Sequence, residues 1–234
     1  MEKQKNRIPE LDILRGICVL GMIAVHFVFD LYYFGNYPLN PPDWFQMMGR
    51  YGHIFFIVLS GICATLGSHT LQRGVVVFGA GLLVSYVTLF ADLILGLPEI
   101  RIWFGILHLL GISMMLYPLF RSLPVWLTAL LSAACILLGA WFAGTSVTVP
   151  FLFPLGLCAP GVNVGSDFFP LFPHLGWFLA GICLGKVLYG VRKTRFPGLA
   201  WNALPFRVLS IVGRNSLLIY LLHQPLLILL TLIL

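Results

Sequence analysis

The sequence predicts an all-α fold: a polytopic membrane bundle of about seven transmembrane helices. Three observations predict it. Hydrophobic residues make up 59% of the 234 positions and charged residues only 9%, against roughly 45–50% and 25% in soluble domains. That is more apolar surface than a soluble core of this size hides, so the solvent is lipid. Apolar runs near the length of a bilayer crossing recur along the chain, punctuated by Pro and Gly. Finally, Lys and Arg fall between those runs, as membrane orientation requires.

The elements follow in order. Lys3, Lys5 and Arg7 precede a first span, Leu11–Phe34. It is not expected to be a cleaved signal, because Asp12, Arg15, His26 and Asp30 interrupt it and no small-residue cleavage site follows. The Gly35–Pro42 stretch ends it. A second span covers Arg50–Gly67 and a third Gly74–Leu95, closed by Gly96–Pro98. The fourth, Arg101–Phe120, and the fifth, Leu123–Ala143, are joined so tightly around Pro124 that an antiparallel hairpin is expected. Gly144–Leu171 has no Lys or Arg but has Pro150, Pro154, Pro160 and Pro170, and reads as an irregular external segment that either re-enters the outer face or lies along it. Such backbone is tolerated at membrane depth only when protein or a wet cavity covers it, which makes the segment a candidate lid. The sixth span is Phe172–Tyr189, with Gly181 and Gly185 on one face for close helix packing. The seventh is Phe206–Ile233. Residues 1–234 read as one membrane domain, without repeat or low-complexity tract.

Lys3, Lys5, Arg7, Arg73, Arg121, Lys186, Arg192, Lys193, Arg195 and Arg207 fall on one side of this arrangement, and Arg50 and Arg101 on the other. An odd number of spans with a cytoplasmic amino terminus and an external carboxyl terminus satisfies that asymmetry. The net charge of +6 is therefore a topology signal, and nucleic acid is not an expected partner. Of the cysteines, Cys18, Cys63, Cys135 and Cys183 sit in apolar runs as small hydrophobes and Cys158 sits in a loop, so no disulfide framework is expected.

Ionisable side chains in a bilayer cost about 2.5–3.5 kcal/mol each on insertion scales and need a reason. At 100° per residue, Asp12, Arg15, His26 and Asp30 share one face of the first span. Asp30 lies one turn after His26, where its carboxylate can take the imidazole N–H and leave the other nitrogen basic. Arg15 precedes His26 by three turns, roughly 16 Å, a length comparable to an extended pantetheine arm. Gly16 beside it would admit close approach of a ligand to the backbone. A polar stripe packed against the bundle is the structural alternative.

His53, His108, His174 and His223 are expected in the outer half of the bundle with His26, Asp30 and Asp167, as a shared polar chamber that receives a substrate. Ser216, Tyr220 and His223 lie at i, i+4 and i+7 of the last span, either as a hydrogen-bonded seam or as ligand contacts. His69 and Arg73, at the turn between the second and third spans, either report topology or add a second contact to a nucleotide phosphate. No short His-x-x-x-His pair occurs on one helix, so no metal is expected.

Glu10–Asp30, ELDILRGICVLGMIAVHFVFD, resembles the first catalytic-domain helix of bacterial relatives of heparan-alpha-glucosaminide N-acetyltransferase, within the wider transmembrane acyltransferase superfamily. Phe55–Gly61 (FFIVLSG), Gly105–Ser113 (GILHLLGIS), Asp167–Gly185 (DFFPLFPHLGWFLAGICLG) and Gly213–Pro225 (GRNSLLIYLLHQP) extend the likeness in order along most of the chain. Arg15, ten residues and His26 also match the spacing of the acyltransferase type 3 enzymes. The resemblance implies acetyl or acyl transfer from acetyl-CoA, the acyl-CoA donor, to a sugar or glycan hydroxyl or amine. It implies a catalytic His26, oriented by Asp30, and CoA contacts near Arg15 and Arg73. Base catalysis and an acyl-histidine route both remain open. The expected setting is the inner or plasma membrane, multi-pass, with membrane lipid as a partner and a homo-oligomer left open. A proton- or ion-coupled transporter is the alternative from another class, and a non-catalytic membrane scaffold is a third.

Overall fold

The computed structural model describes residues 8–33, 39–96, 100–145, 147–165, 167–191, 193–201 and 203–233. Lys3, Lys5, Arg7, Arg192 and the breaks expected at Gly35 and Pro98 lie outside them. The regular structure of the described residues is helical, with one isolated bridge between Ile102 and Gly165. The helices are α1 (Pro9–Tyr33), α2 (Asp43–Leu66), α3 (Thr70–Leu95), α4 (Ile106–Phe120), α5 (Val125–Ala143), α6 (Leu171–Tyr189), α7 (Leu204–Arg214) and α8 (Ser216–Ile233).

Five of them, α1, α2, α3, α5 and α6, are long and apolar enough to cross a bilayer, and the bent pair α7–α8 makes a sixth if it counts as one span. Two expected spans differ from the sequence reading. The fourth begins at Ile106, not Arg101, because side chains of α3 capture the preceding backbone. Thr88 Oγ1 accepts from the Ile102 N–H at 3.1 Å, and Ser85 Oγ donates to the Ile102 carbonyl at 2.5 Å. The remaining 15 residues of α4 rise only about 22 Å, short of a hydrocarbon core of about 30 Å. The seventh is broken at Asn215 by an 84° bend. There the Asn215 amide donates to the Ile211 carbonyl at 2.9 Å, and its N–H turns to Ile211 and Val212. A short polar side chain competing for backbone acceptors ends a helix in this way. The bend also removes Arg214 from the middle of an apolar run.

The chain forms two compact units, Met1–Leu59 with Val191–Leu234, and Ser60–Gly190; the boundary falls within α2. In the first unit, α1 packs against α7 and α8. The α1–α7 crossing is backbone-close: a Cβ on Gly16 would collide with the Leu209 carbonyl, and one on Gly213 with the Asp12 carbonyl. Glu10, 5% exposed, ties the α6–α7 connection to the start of α1 by accepting from Thr194 Oγ1 and the Arg195 N–H, both at 2.8 Å.

In the second unit α3 pairs with α4, and α5 with α6. The expected hairpin of α4 on α5 is replaced by these two pairs, because the smooth glycine faces lie there. Gly74, Gly81 and Gly111 seat α3 on α4, and Gly139 and Gly176 seat α5 on α6. Gly181 and Gly185 serve close packing as expected, against the Gly61 and Thr65 turns of α2. Lys186 Nζ donates to the Phe120 and Leu123 carbonyls at 3.1 and 2.6 Å, closing the α4–α5 turn. The 144–171 segment contains a 3-10 turn, Pro150–Leu155, and is pinned to the start of α4 by the Phe169 N–H donating to the Phe104 carbonyl at 2.9 Å.

Candidate functional site

The polar faces of α1 and α8 meet in the first unit. His26 and Asp30 come from α1, and Tyr220, His223 and Gln224 from α8. The His26 and His223 rings stand edge to face, with centroids 5.0 Å apart, and Tyr220 lies 5.3 Å from His223. His26 Nδ1 donates to the Met22 carbonyl at 2.9 Å, and His223 Nδ1 to the Tyr220 carbonyl at 2.5 Å. A carbonyl can only accept, so each bond places a proton on Nδ1, and in the neutral ring Nε2 then keeps the lone pair. Both imidazoles are thereby held in the tautomer that a base or nucleophile needs.

Asp30 is fully buried and does not take the His26 N–H that the one-turn spacing suggested. Its two oxygens accept instead from Gln224 Nε2, at 3.0 and 3.1 Å. The His26 N–H is already spent on its own helix, and an amide from α8 supplies the donor that a buried carboxylate requires. Gln224 was absent from the residues singled out by sequence. Its polarity inside an apolar run, directly after His223, was the available signal.

Two atoms of this cluster are buried without a hydrogen-bond partner among the described residues: His223 Nε2 and Gln224 Oε1. Both are acceptors. An unsatisfied buried polar atom costs about 1–3 kcal/mol, and each of these can accept from a donor-bearing group.

Other residues of this unit are placed around these helices. Arg15 is half-buried on α1, His53 half-buried on α2, and Ser216 half-buried as the first residue of α8. Gly16 does not face open space for a ligand, because the α7 backbone at Leu209 fills the position where its Cβ would be.

The remaining expected site residues belong to the second unit. His69 and Arg73 are exposed at the start of α3, with the Arg73 guanidinium beside Gly67. His108 is 3% exposed, between Phe78 and Phe104. Its Nδ1 accepts from the Gly105 N–H at 3.2 Å, and Nε2 faces Ser85 Oγ at 3.4 Å. This is the opposite tautomer to His26 and His223, with the lone pair consumed in capping α4. The Asp167 carboxylate lies against Gly105 at the start of α4, where a negative charge is favoured by the helix dipole. His174 Nδ1 donates to the Pro170 carbonyl at 2.8 Å, with its ring edge-on to Phe169. The nearby Asp92–Arg101 ion pair, at 2.5 Å, was not anticipated as a pair. A cavity of about 550 Å³ lies in this unit, walled in part by Gly139, Phe142, Cys158, Phe168 and Phe172.

His26 and His223 come together in the first unit, and His108 and His174 lie in the second. Among the described residues no group of three His, Cys, Asp or Glu side chains is arranged to hold a metal.

Comparison with known proteins adds the family. The model of the heparan-alpha-glucosaminide N-acetyltransferase catalytic domain matches residues 7–225. No curated protein and no solved structure matches the chain. The match runs through α1 and ends at Pro225 in α8, so it spans both helices that carry the paired imidazoles and the unpartnered acceptors. The chain belongs to the heparan-alpha-glucosaminide N-acetyltransferase catalytic family and is a membrane acetyltransferase of that family.

Proposed function

We propose that the protein transfers an acetyl group from cytoplasmic acetyl-CoA to a saccharide hydroxyl or amine on the external side, with His26 as the base. The observation that carries this reading is the α1–α8 cluster: two imidazoles with Nδ1 bonded to their own helices, where His223 Nε2 and the Gln224 Oε1 next in sequence are buried acceptors that lack donors. His26 Nε2 takes the acceptor's proton as its oxygen or nitrogen attacks the thioester carbonyl. The carbon–sulfur bond breaks, and the thiolate of CoA leaves and is protonated. The spare acceptors on His223 and Gln224 suit the remaining donors of a hydroxyl- or amine-rich acceptor. In the alternative route His26 Nε2 attacks first, and an acyl-histidine hands the acetyl group on.

Asp30 acts in this scheme through Gln224, fixing the amide so that its oxygen points away from the carboxylate. Arg15 lies three turns below His26 on the same helix, about 16 Å along its axis, and is assigned to the phosphates of CoA. His69 and Arg73, exposed in the second unit, carry phosphate-binding chemistry of their own. His53, Ser216 and Tyr220, all in the first unit, are assigned to the acceptor. His108 was expected among them, but its two nitrogens are engaged inside the fold, so the scheme gives it a structural part. The amino terminus is assigned to the cytoplasm on Lys3, Lys5 and Arg7 before the first span, with the protein multi-pass in the inner or plasma membrane.

The test is CoA release by purified protein supplied with acetyl-CoA and a panel of amino and hydroxyl sugars. Release should require an acceptor in direct transfer, and show an acceptor-independent burst in the acyl-histidine route. Unchanged turnover in His26→Ala would sink the assignment.

A further inference from the structure

The segment Val191–Arg214 holds five of the chain's 14 cationic residues and no Asp or Glu. Its helix α7 has three distinct faces. Phe206, Leu209 and Gly213 lie on one side at helical spacing, and the backbone there is pressed against α1. On the opposite side Leu204, Val208 and Ile211 form an apolar ridge, 74%, 50% and 47% exposed. On the flank between them, seven residues and so two turns apart, are Arg207 and Arg214, both exposed.

Among the described residues no carboxylate pairs with either arginine; Arg214 Nε donates only to its own helix, at Ser210 O, 3.1 Å. The axis of α7 turns 84° from that of α8 at Asn215. With α8 along the bilayer normal, α7 runs in the membrane plane. An in-plane helix with one apolar ridge and a cationic flank is the form that sits at the headgroup–acyl boundary. Trp201, whose ring is 5.7 Å from Phe206, is the residue type enriched at that depth.

We infer that α7 is an interfacial anchor that holds anionic phospholipid, with the Leu204–Val208–Ile211 ridge among the acyl chains and Arg207 and Arg214 on headgroup phosphates. This inference stands on α7 alone and does not require the catalytic scheme. The chemistry recognised is a phosphate on an alkyl-bearing molecule. A free nucleotide phosphate offers the same charge but leaves the ridge exposed to water, and for that reason lipid is the occupant.

Full-length protein in mixed nanodiscs of phosphatidylglycerol and phosphatidylcholine, released and weighed by native mass spectrometry, tests it. The expected preference for phosphatidylglycerol falls about 30-fold in the double variant Arg207→Gln/Arg214→Gln, from about 1 kcal/mol per cation at an anionic surface. It is kept in Arg207→Lys/Arg214→Lys, and changes less than about twofold in Arg50→Gln. An equal fall in Arg50→Gln would overturn the inference, since net charge alone would then explain retention. So would unchanged lipid retention in the double Gln variant accompanied by weakened acetyl-CoA binding, which would assign the arginines to the nucleotide.

Discussion

The two units bury polar side chains in different ways. In the second, most buried polar groups have a structural task. Ser85 and Thr88 hold Ile102, His108 caps α4, Ser132 donates to the Gly176 carbonyl at 2.8 Å, and Lys186 closes the α4–α5 turn. Among the described residues Ser113 Oγ is the one buried side-chain atom there without a partner. In the first unit the buried carboxylate of Asp30 is satisfied, yet two adjacent acceptors, His223 Nε2 and Gln224 Oε1, are not. Histidine shows both uses: His108 spends its lone pair on the fold, whereas His26, His223 and, in the second unit, His174 spend a proton on it. A buried polar residue alone therefore says little about function; the direction of its hydrogen bonds says more.

The largest expected effect tests whether the first unit's polarity is chemical. His26→Ala should lower the rate of CoA release by about 10²–10⁴-fold, the usual contribution of a positioned general base, with the thermal midpoint in detergent unchanged. A loss of midpoint equal to that of a core variant would erase the contrast. Next, Arg15→Ala should raise KM for acetyl-CoA by about 10–100-fold, the worth of one charge-assisted hydrogen bond, with little change in kcat. A change confined to the acceptor KM would move Arg15 out of the donor site.

A third test separates ligand approach from helix packing at Gly16. Gly16→Ala should lower stability by about 1–3 kcal/mol, because a methyl collides with the α7 backbone, and leave the affinity for acetyl-CoA in the folded fraction unchanged. The smallest effect comes from a matched pair. His108→Phe should cost about 1 kcal/mol through the lost cap, at unchanged activity per folded molecule. His223→Phe should leave stability unchanged or slightly raised, since it removes an unsatisfied acceptor, and should weaken the acceptor KM about tenfold. If the two variants behave alike in melting and turnover, the distinction between the units fails.

Much of the helical pattern was legible in the sequence, because apolar runs and Pro or Gly breaks report directly on which segments avoid water. The differences arose where partners distant in sequence intervened. Arg101–Gly105 reads as the start of a span, but Ser85 and Thr88 draw its backbone out of the helix. The run from Phe206 to Ile233 reads as one span, and Arg214 followed by Asn215 was the mark of its bend. The tight link between α4 and α5 suggested a hairpin, whereas the glycine faces bind each helix to another partner. In the site, one-turn spacing identified His26 with Asp30 as a neighbouring pair, but it could not reveal that Gln224, 194 positions away, takes the carboxylate.

By itself the sequence determined the solvent, the all-helical class and the few polar residues that an apolar chain would not carry without cause. These follow from composition and short-range spacing, which add up residue by residue. Only the tertiary structure decided which nitrogen of each imidazole keeps its lone pair, which acceptors are left over, and that Gly16 and Gly213 are filled by backbone. Those properties belong to rotamers and to contacts between helices far apart in the chain. A hydrogen bond has a direction and one recipient: the rotamers of His26 and His223 set it within their own helices, and for Asp30 it exists only once α8 is in place.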